Sequence, residues 1–368
     1  MKFIPFCAFI VSLFVYSACD SADNEIETQP KVENRIPVAS IMPVIITEQV
    51  KYDTDDPAIW INRGSPENSL VIGTDKHEKG ALYVFDLDGN ILEDKVVHGL
   101  KRPNNVDIEY NFILDGDSID IAVVSERLTH KLRIYKMPGM EAIDQGGISI
   151  FEGESKDGFR EVMGISLYKS PVSGKTYAIA GRKAGPTDGT YLWQYLLEDN
   201  GEGGVKATLV RKFGNYSGAQ EIESIAVDDK LGYVYYSDER VGVRKYFAEP
   251  ENGNTELALF ASEDIEKDQE GISIYEVTDS TGYILVSDQQ NNRFQIFSRE
   301  GTGHLPHQHD LVKTVNTETI ESDGSEVTSM GLNDRFSKGL FVAMSSDRTF
   351  HYYAWEDIAG NDLEIAQK

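Results

Sequence analysis

Asp55 and Asp56 stand side by side in DTDDPAIW, residues 53–60, directly ahead of Pro57 and an apolar run that reads as a buried strand. Burying either carboxylate is costly unless a cation or a hydrogen-bond network compensates it. Neighbours on an extended strand point to opposite faces, so this pair suits two different ions, with Asp53 left as a solvated turn residue. Two further pairs are spaced i, i+2 and so share a face: Asn105 with Asp107 in RPNNVDIEY, and Asp268 with Glu270 in DQEGISI. Each could grip one ion. Glu223 in EIESIAV, Glu239 after YVYYSD and Gln289 after ILVSD add oxygen donors at strand ends. Calcium takes six to eight such hard oxygens in irregular geometry.

Cations occupy the same kind of position. Lys76 follows VIGTD, Arg127 follows IAVVSE, and Arg182 and Lys183 follow YAIAG. None can ligate a metal; their natural partners are phosphate oxygens, which Arg can engage two at a time. No Ser-His-Asp or Cys-His constellation and no RHG motif is visible, which argues against a covalent phosphoenzyme. His304, His307 and His309 in HLPHQHD lie in a Gly-Pro loop and are read as loop residues.

What must position these groups is a series of short strands. Apolar stretches bounded by Gly, Asn and Asp recur from about residue 41, and long amphipathic helical patterns are absent. They form six echoes, among them LVIGTD with GALYVFDLDG, IAVVSE with KLRIYKM and ILVSDQ with RFQIFSREG, recurring about every 50 residues. The period predicts an all-β chain folded as a single six-bladed β-propeller, residues 41–368, with the first strand of each echo lining the central channel.

The chain of 368 residues carries 61 acidic against 35 basic side chains, a net charge of −26, which makes nucleic acid and bare anionic membrane poor partners. Bound divalent cations would still let so acidic a protein take an anionic substrate. Both cysteines lie near the N-terminus, and residues 1–19 combine Lys2, an apolar run and SAC, which reads as an export signal resembling a lipoprotein signal with Cys19 as the lipidated residue. Residues 20–40 read as a polar, flexible tether. The expected location is therefore outside the cytoplasm, held to a membrane only through Cys19.

DTDDPAIW, GTDK, RPNNVDIEY, VVSER, GRKAGPTDGTYLWQY, EIESIAVDD, YYSDE, DQEGISIY, VSDQ and ESDGSEVTS follow one another in an order and spacing that resemble the β-propeller phytases, bacterial calcium-dependent 3-phytases. The resemblance runs from about residue 45 to Trp355. It implies a six-bladed propeller with several calcium ions at the channel mouth and hydrolysis of myo-inositol hexakisphosphate, free or as its calcium salt, by a monomer. It also implies Asp55, Asp56, Asn105, Asp107, Glu223, Glu239, Asp268, Glu270, Gln289 and Asp323 as calcium ligands or their neighbours, with Glu48 as a further ligand. Lys76, Arg127 and the GRK cation, Arg182 or Lys183, are implied as phosphate contacts, and Glu223 and Asp323 as part of the catalytic centre. The chain departs from the pattern at Met163, where some members place a phosphate-binding Tyr, and before ESDG, where Glu318 or Glu321 would have to serve as an expected acid. Two rival readings remain at this level: a calcium-dependent lactonase of the gluconolactonase type, and a non-catalytic surface propeller that binds glycans or proteins.

Overall fold

The computed structural model describes residues 39–263, 265 and 268–367. The export signal and all but the last two residues of the tether fall outside them.

Six antiparallel sheets follow one another along the chain. The first contains Thr54–Trp60, Leu70–Asp75, Gly80–Phe85 and Val97–Leu100; the second is built on Pro103–Leu114, Asp117–Glu126 and Lys131–Met137. Val162–Lys169, Thr176–Arg182, Leu192–Asp199 and Val205–Phe213 form the third, and Ile225–Asp228, Tyr233–Asp238, Gly242–Phe247 and Ala258–Phe260 the fourth. The fifth runs from Gln269–Glu276 through Gly282–Asp288 and Arg293–Ser298 to Leu311–Asn316. The sixth takes Ser325–Thr328, Leu340–Ser345 and Thr349–Ala354 from the end of the chain and Ile45–Ile46 from its beginning. Ile45 pairs with Tyr352 and Ile46 with His351, so the sixth blade is completed by the N-terminal strand and the ring closes without a covalent bond. The protein is a six-bladed β-propeller.

Blades stack face to face, which explains why the middle strands read as unbroken apolar runs instead of alternating ones. Leu70–Asp75, Gly80–Phe85 and Leu340–Ser345 are buried at every position. Tyr and Phe fill the widening wedge between blades: Tyr275 stacks on Trp355 at 3.6 Å, and Phe294 meets Phe341 edge to face at 4.9 Å.

One expectation needs correcting. The first strand of each sequence echo is the second strand of its blade; the channel is lined by the strand before it, as with Asp56 to Ile59, Asn105 to Ile108 and Ser325 to Met330. Those inner strands are short or polar at their N-terminal ends, so their apolar signal is weaker than that of the strands behind them.

Candidate metal and phosphate site

The inner strands begin with a repeated irregularity. In the first blade Thr54 pairs with Asp75 and Pro57 with Gly73, leaving Asp55 and Asp56 opposite Thr74 alone. The same extra residue puts Asn104 and Asn105 opposite Ser125, Met163 and Gly164 opposite Gly181, and Glu270 and Gly271 opposite Ser287. A β-bulge of this kind bends the strand and re-aims its side chains. Ile225 pairs with Tyr236 and Ser325 with Ala343 where the other blades pair Pro57 with Gly73, so Glu223 and Asp323 stand at the same step. Six blades thus present Asp55, Asn104, Met163, Glu223, Glu270 and Asp323 at one level.

This ring is tight. A Cβ on Gly164 would collide with the Glu223 carbonyl, and one on Gly324 with the Asp56 carboxylate. Glycine at these two steps lets adjacent inner strands approach closely enough to bring the carboxylates together. Oxygens of Asp55, Glu223 and Asp323 lie within 4.8 Å of one another.

A second ring comes from the residue just after each blade's second strand. Counting three positions on from Gly73, Val124, Ala180, Tyr236, Val286 and Ala343 gives Lys76, Arg127, Lys183, Glu239, Gln289 and Ser346. The cations therefore fall on the first three blades and the carboxylate and amide on the next two. Lys76 Nζ lies 2.5 Å from Asp55 Oδ1 and 2.9 Å from Asp323 Oδ2, and the Gln289 amide donates to Asp323. Asn104 Nδ2 lies 3.4 Å from Glu223 Oε1.

Electrostatics reflect this crowding. Burial, reinforced by Glu223 and Asp323, pushes the Asp55 carboxyl well above its ordinary range despite Lys76. Burial and its acidic neighbours do the same to Glu270, raise Glu223, and push Glu239 up to about 9. Burial opposes the charge on Lys76, but Asp55, Glu223 and Asp323 outweigh it and raise the amine.

The donor set fits calcium. Asp55 Oδ2, Glu270 Oε2 and Asn104 Oδ1 are buried and accept no hydrogen bond, while Asp55 Oδ1 meets only the Lys76 ammonium. Unsatisfied hard oxygens converging from several strands are what a cation of high coordination number requires.

The sequence-predicted residues separate by position. Asp55, Glu223, Glu239, Glu270, Gln289 and Asp323 meet at the mouth together with Lys76. Asp268 lies further out, ion-paired to Arg240 at 2.9 Å and accepting from Gln290, so the Asp268/Glu270 pair is split by the bulge instead of sharing a face. Asp56 and Asn105 sit one step deeper than the mouth ring and line a central cavity of about 560 Å³. Asp56 accepts there from the Val106 amide at 3.0 Å. Asp107 also faces that cavity, but its carboxylate already accepts from Ser166 Oγ, the Leu167 amide and the Ile108 amide. Glu48 is exposed, and its carboxylate receives the Ile91 amide at 2.7 Å, away from the mouth cluster. Arg182 is fully buried: it donates to the carbonyls of Tyr191, Phe159 and Thr190 and pairs with Glu154 at 3.1 Å, leaving Lys183 as the GRK cation at the mouth. Met163 holds its ring position as an apolar residue. Glu318 and Glu321 spend their backbone amides on Ile41 and Asn292 and stand outside the acidic trio.

Sequence reasoning missed Asn104, choosing its neighbour in NNVD, because a bulge changes which residue faces the mouth. It also missed Glu326 and Asp229, which line the cavity; burial pushes Glu326 up to about 8 and Asp229 well above the usual range. Glu326 lies between Ser325 and Val327 on an inner strand, where alternation was the signal that could have found it, while Asp229 follows the end of the strand Ile225–Asp228 between Asp228 and Lys230, where no apolar pattern marks it.

With this geometry in place, comparison with known proteins is decisive. The phytase family profile matches residues 7–357. The chain belongs to the phytase family. A 3-phytase of Bacillus subtilis (strain 168) is 31% identical over 322 residues, covering 83% of this chain and 80% of that protein. Family membership spans all six blades, and the mouth rings lie within the matched residues.

Proposed function

We propose that this phytase releases phosphate from myo-inositol hexakisphosphate at the channel mouth, with calcium held by Asp55, Glu223, Glu239, Glu270 and Asp323 and water as the nucleophile. The observation that carries this reading is the convergence of Asp55, Glu223 and Asp323 within 4.8 Å beside the Lys76 ammonium. Calcium bound there would supply positive charge for the phosphate oxygens and lower the pKa of the attacking water. The residues of the chain divide the remaining work. Lys76, Arg127 and Lys183 donate to phosphate oxygens and stabilise the charge that builds up as the bond to the leaving oxygen breaks. Glu223 and Asp323 orient the water and accept its proton, and Gln289 holds Asp323 in place through its amide. The half-ring of cations opposite a half-ring of oxygens favours a phosphate ester over a lactone, which has no use for three cations. Phosphate release from hexakisphosphate with and without added calcium tests the reading; release of phosphate that is indifferent to calcium chelation, or no release at all, overturns it.

The N-terminal motif supports export as a lipoprotein anchored through Cys19, tested by metabolic labelling with palmitate, and a monomer is expected on sizing chromatography.

A further inference from the structure

A third ring lies outside the other two. In each blade the residue after the second strand donates its amide to a carbonyl at the rim: Lys76 to Asp53, Arg127 to Arg102, Lys183 to Glu161, Glu239 to Glu221, Gln289 to Asp268 and Ser346 to Ile320. Four of these six rim positions carry an acid. The second blade carries Arg102.

Two of the acids have the same use. Glu161 of the third blade pairs with Arg127 of the second at 2.9 Å, and Glu221 beside the fourth blade pairs with Lys183 of the third. Two of the four rim acids therefore cap the ring cation of the preceding blade, and a third, Asp268, pairs with Arg240 beside the fourth blade's ring position. By the same rule the second blade's rim residue would cap Lys76, but an arginine cannot, and Lys76 turns inward to Asp55 and Asp323. Among the described residues no side-chain hydrogen bond or ion pair holds the Arg102 guanidinium, and its Nε is buried without a partner. Asp53 and Lys183 feel its charge, and neither is within ion-pair distance. Its backbone is locked on both sides, donating to His77 O at 2.8 Å and accepting from Arg127 N at 3.0 Å, with φ at 58°, an uncommon conformation for so long a side chain.

We infer that Arg102 is a specificity-determining residue: it engages a phosphate group of the polyphosphorylated substrate at the sector of the rim between the first two blades, where the rim position that carries an acid in the third and fourth blades carries an arginine instead. A half-buried guanidinium in a protein of net charge −26 that finds no carboxylate is positioned for an external anion. Arg127 and Lys183 become available only when the substrate displaces Glu161 and Glu221, whereas Arg102 is available from the outset.

This inference rests on the phytase reading, and the experiment separates the two. The variants are Arg102→Lys, Arg102→Ala and Arg102→Glu, the last supplying the acid that other blades carry; all three keep a Cβ at the same φ, so backbone strain is common to them. Kinetics with inositol hexakisphosphate and inhibition by inorganic phosphate are measured alongside thermal melting. The expected result is a KM raised about tenfold in Arg102→Ala and further in Arg102→Glu, with weaker phosphate inhibition, a smaller change in kcat, an intermediate Arg102→Lys and unchanged melting. Wild-type KM and phosphate inhibition in Arg102→Ala and Arg102→Glu would overturn the inference while leaving the phytase reading intact. A loss confined to kcat and melting temperature would likewise overturn it, in favour of a purely structural role. No turnover by the wild-type protein would instead overturn the phytase reading itself.

Discussion

Arg182 and Lys183 are consecutive in the chain and face opposite environments: the guanidinium lies buried against the rings of Phe151, Phe159, Tyr191 and Trp193, while the lysine ammonium reaches Glu221 at the channel mouth. Strand alternation at the end of Thr176–Arg182 makes this division unavoidable. Arg182→Met should therefore destabilise the protein by about 3 kcal/mol, since it strands Glu154 and three carbonyls, and leave KM unchanged in the folded fraction. Lys183→Ala should do the reverse, raising KM while changing stability by less than about 0.5 kcal/mol. Denaturant unfolding and steady-state kinetics on both variants check the pair of outcomes.

Asp55→Asn and Glu223→Gln should each lower phosphate release at least about a hundredfold, because they remove charge from the acidic trio at nearly constant volume. Melting in a chelator should fall little, and Asp55→Asn should melt no lower than wild type there, since it relieves a buried carboxylate of its repulsion with Glu223 and Asp323. A collapse of the fold in either variant would show the ring to be structural first.

Saturating calcium should raise the melting temperature of the chelator-treated protein. At a concentration about 100 times the dissociation constant, the stabilisation is about 2.7 kcal/mol per independent site. Magnesium should stabilise less, because irregular oxygens arriving from several blades do not offer it near-ideal octahedral geometry. Melting curves in calcium, magnesium and chelator decide this.

Lys245 and His309 make a pH-sensitive clasp on the outer side of the fourth and fifth blades. Lys245 Nζ sits 2.8 Å from Pro306 O, 3.1 Å from His309 Nε2 and 3.8 Å from the centre of the Tyr233 ring, while His309 Nδ1 faces Ser298 O at 2.6 Å. Burial, with Lys245 adding to it, lowers His309 to about 4 from 6.5, and burial lowers Lys245 to about 8 from 10.5. Both groups prefer the neutral form when folded. Stability from His309 is thus complete above about pH 6.5 and lost as pH falls towards 4; that from Lys245 is complete above about 10.5 and lost towards 8. Each contributes on the order of 3 kcal/mol at most. Lys245→Met should remove the rise in stability between pH 8 and 10.5 relative to wild type, measured by denaturant unfolding in chelator.

The amino-acid sequence by itself determined the class of fold and most of the chemistry. Unbroken apolar runs such as LVIGTD and GYILVSD mark strands covered on both faces, and their sixfold return permits little besides a closed ring of blades. The cations Lys76, Arg127 and Lys183 were legible because each lies at the end of such a run. Tertiary structure alone decided which polar residues meet. One extra residue at the start of four inner strands moves Asn104 rather than Asn105 to the mouth, parts Asp268 from Glu270, and turns Asp56 down the channel. A bulge leaves almost no trace in composition, because its cost is a single unpaired backbone step, yet it reverses the facing of every later side chain on its strand. The capping of one blade's cation by the next blade's acid is likewise invisible in the chain, since partners such as Arg127 and Glu161 are joined only by the stacking of blades.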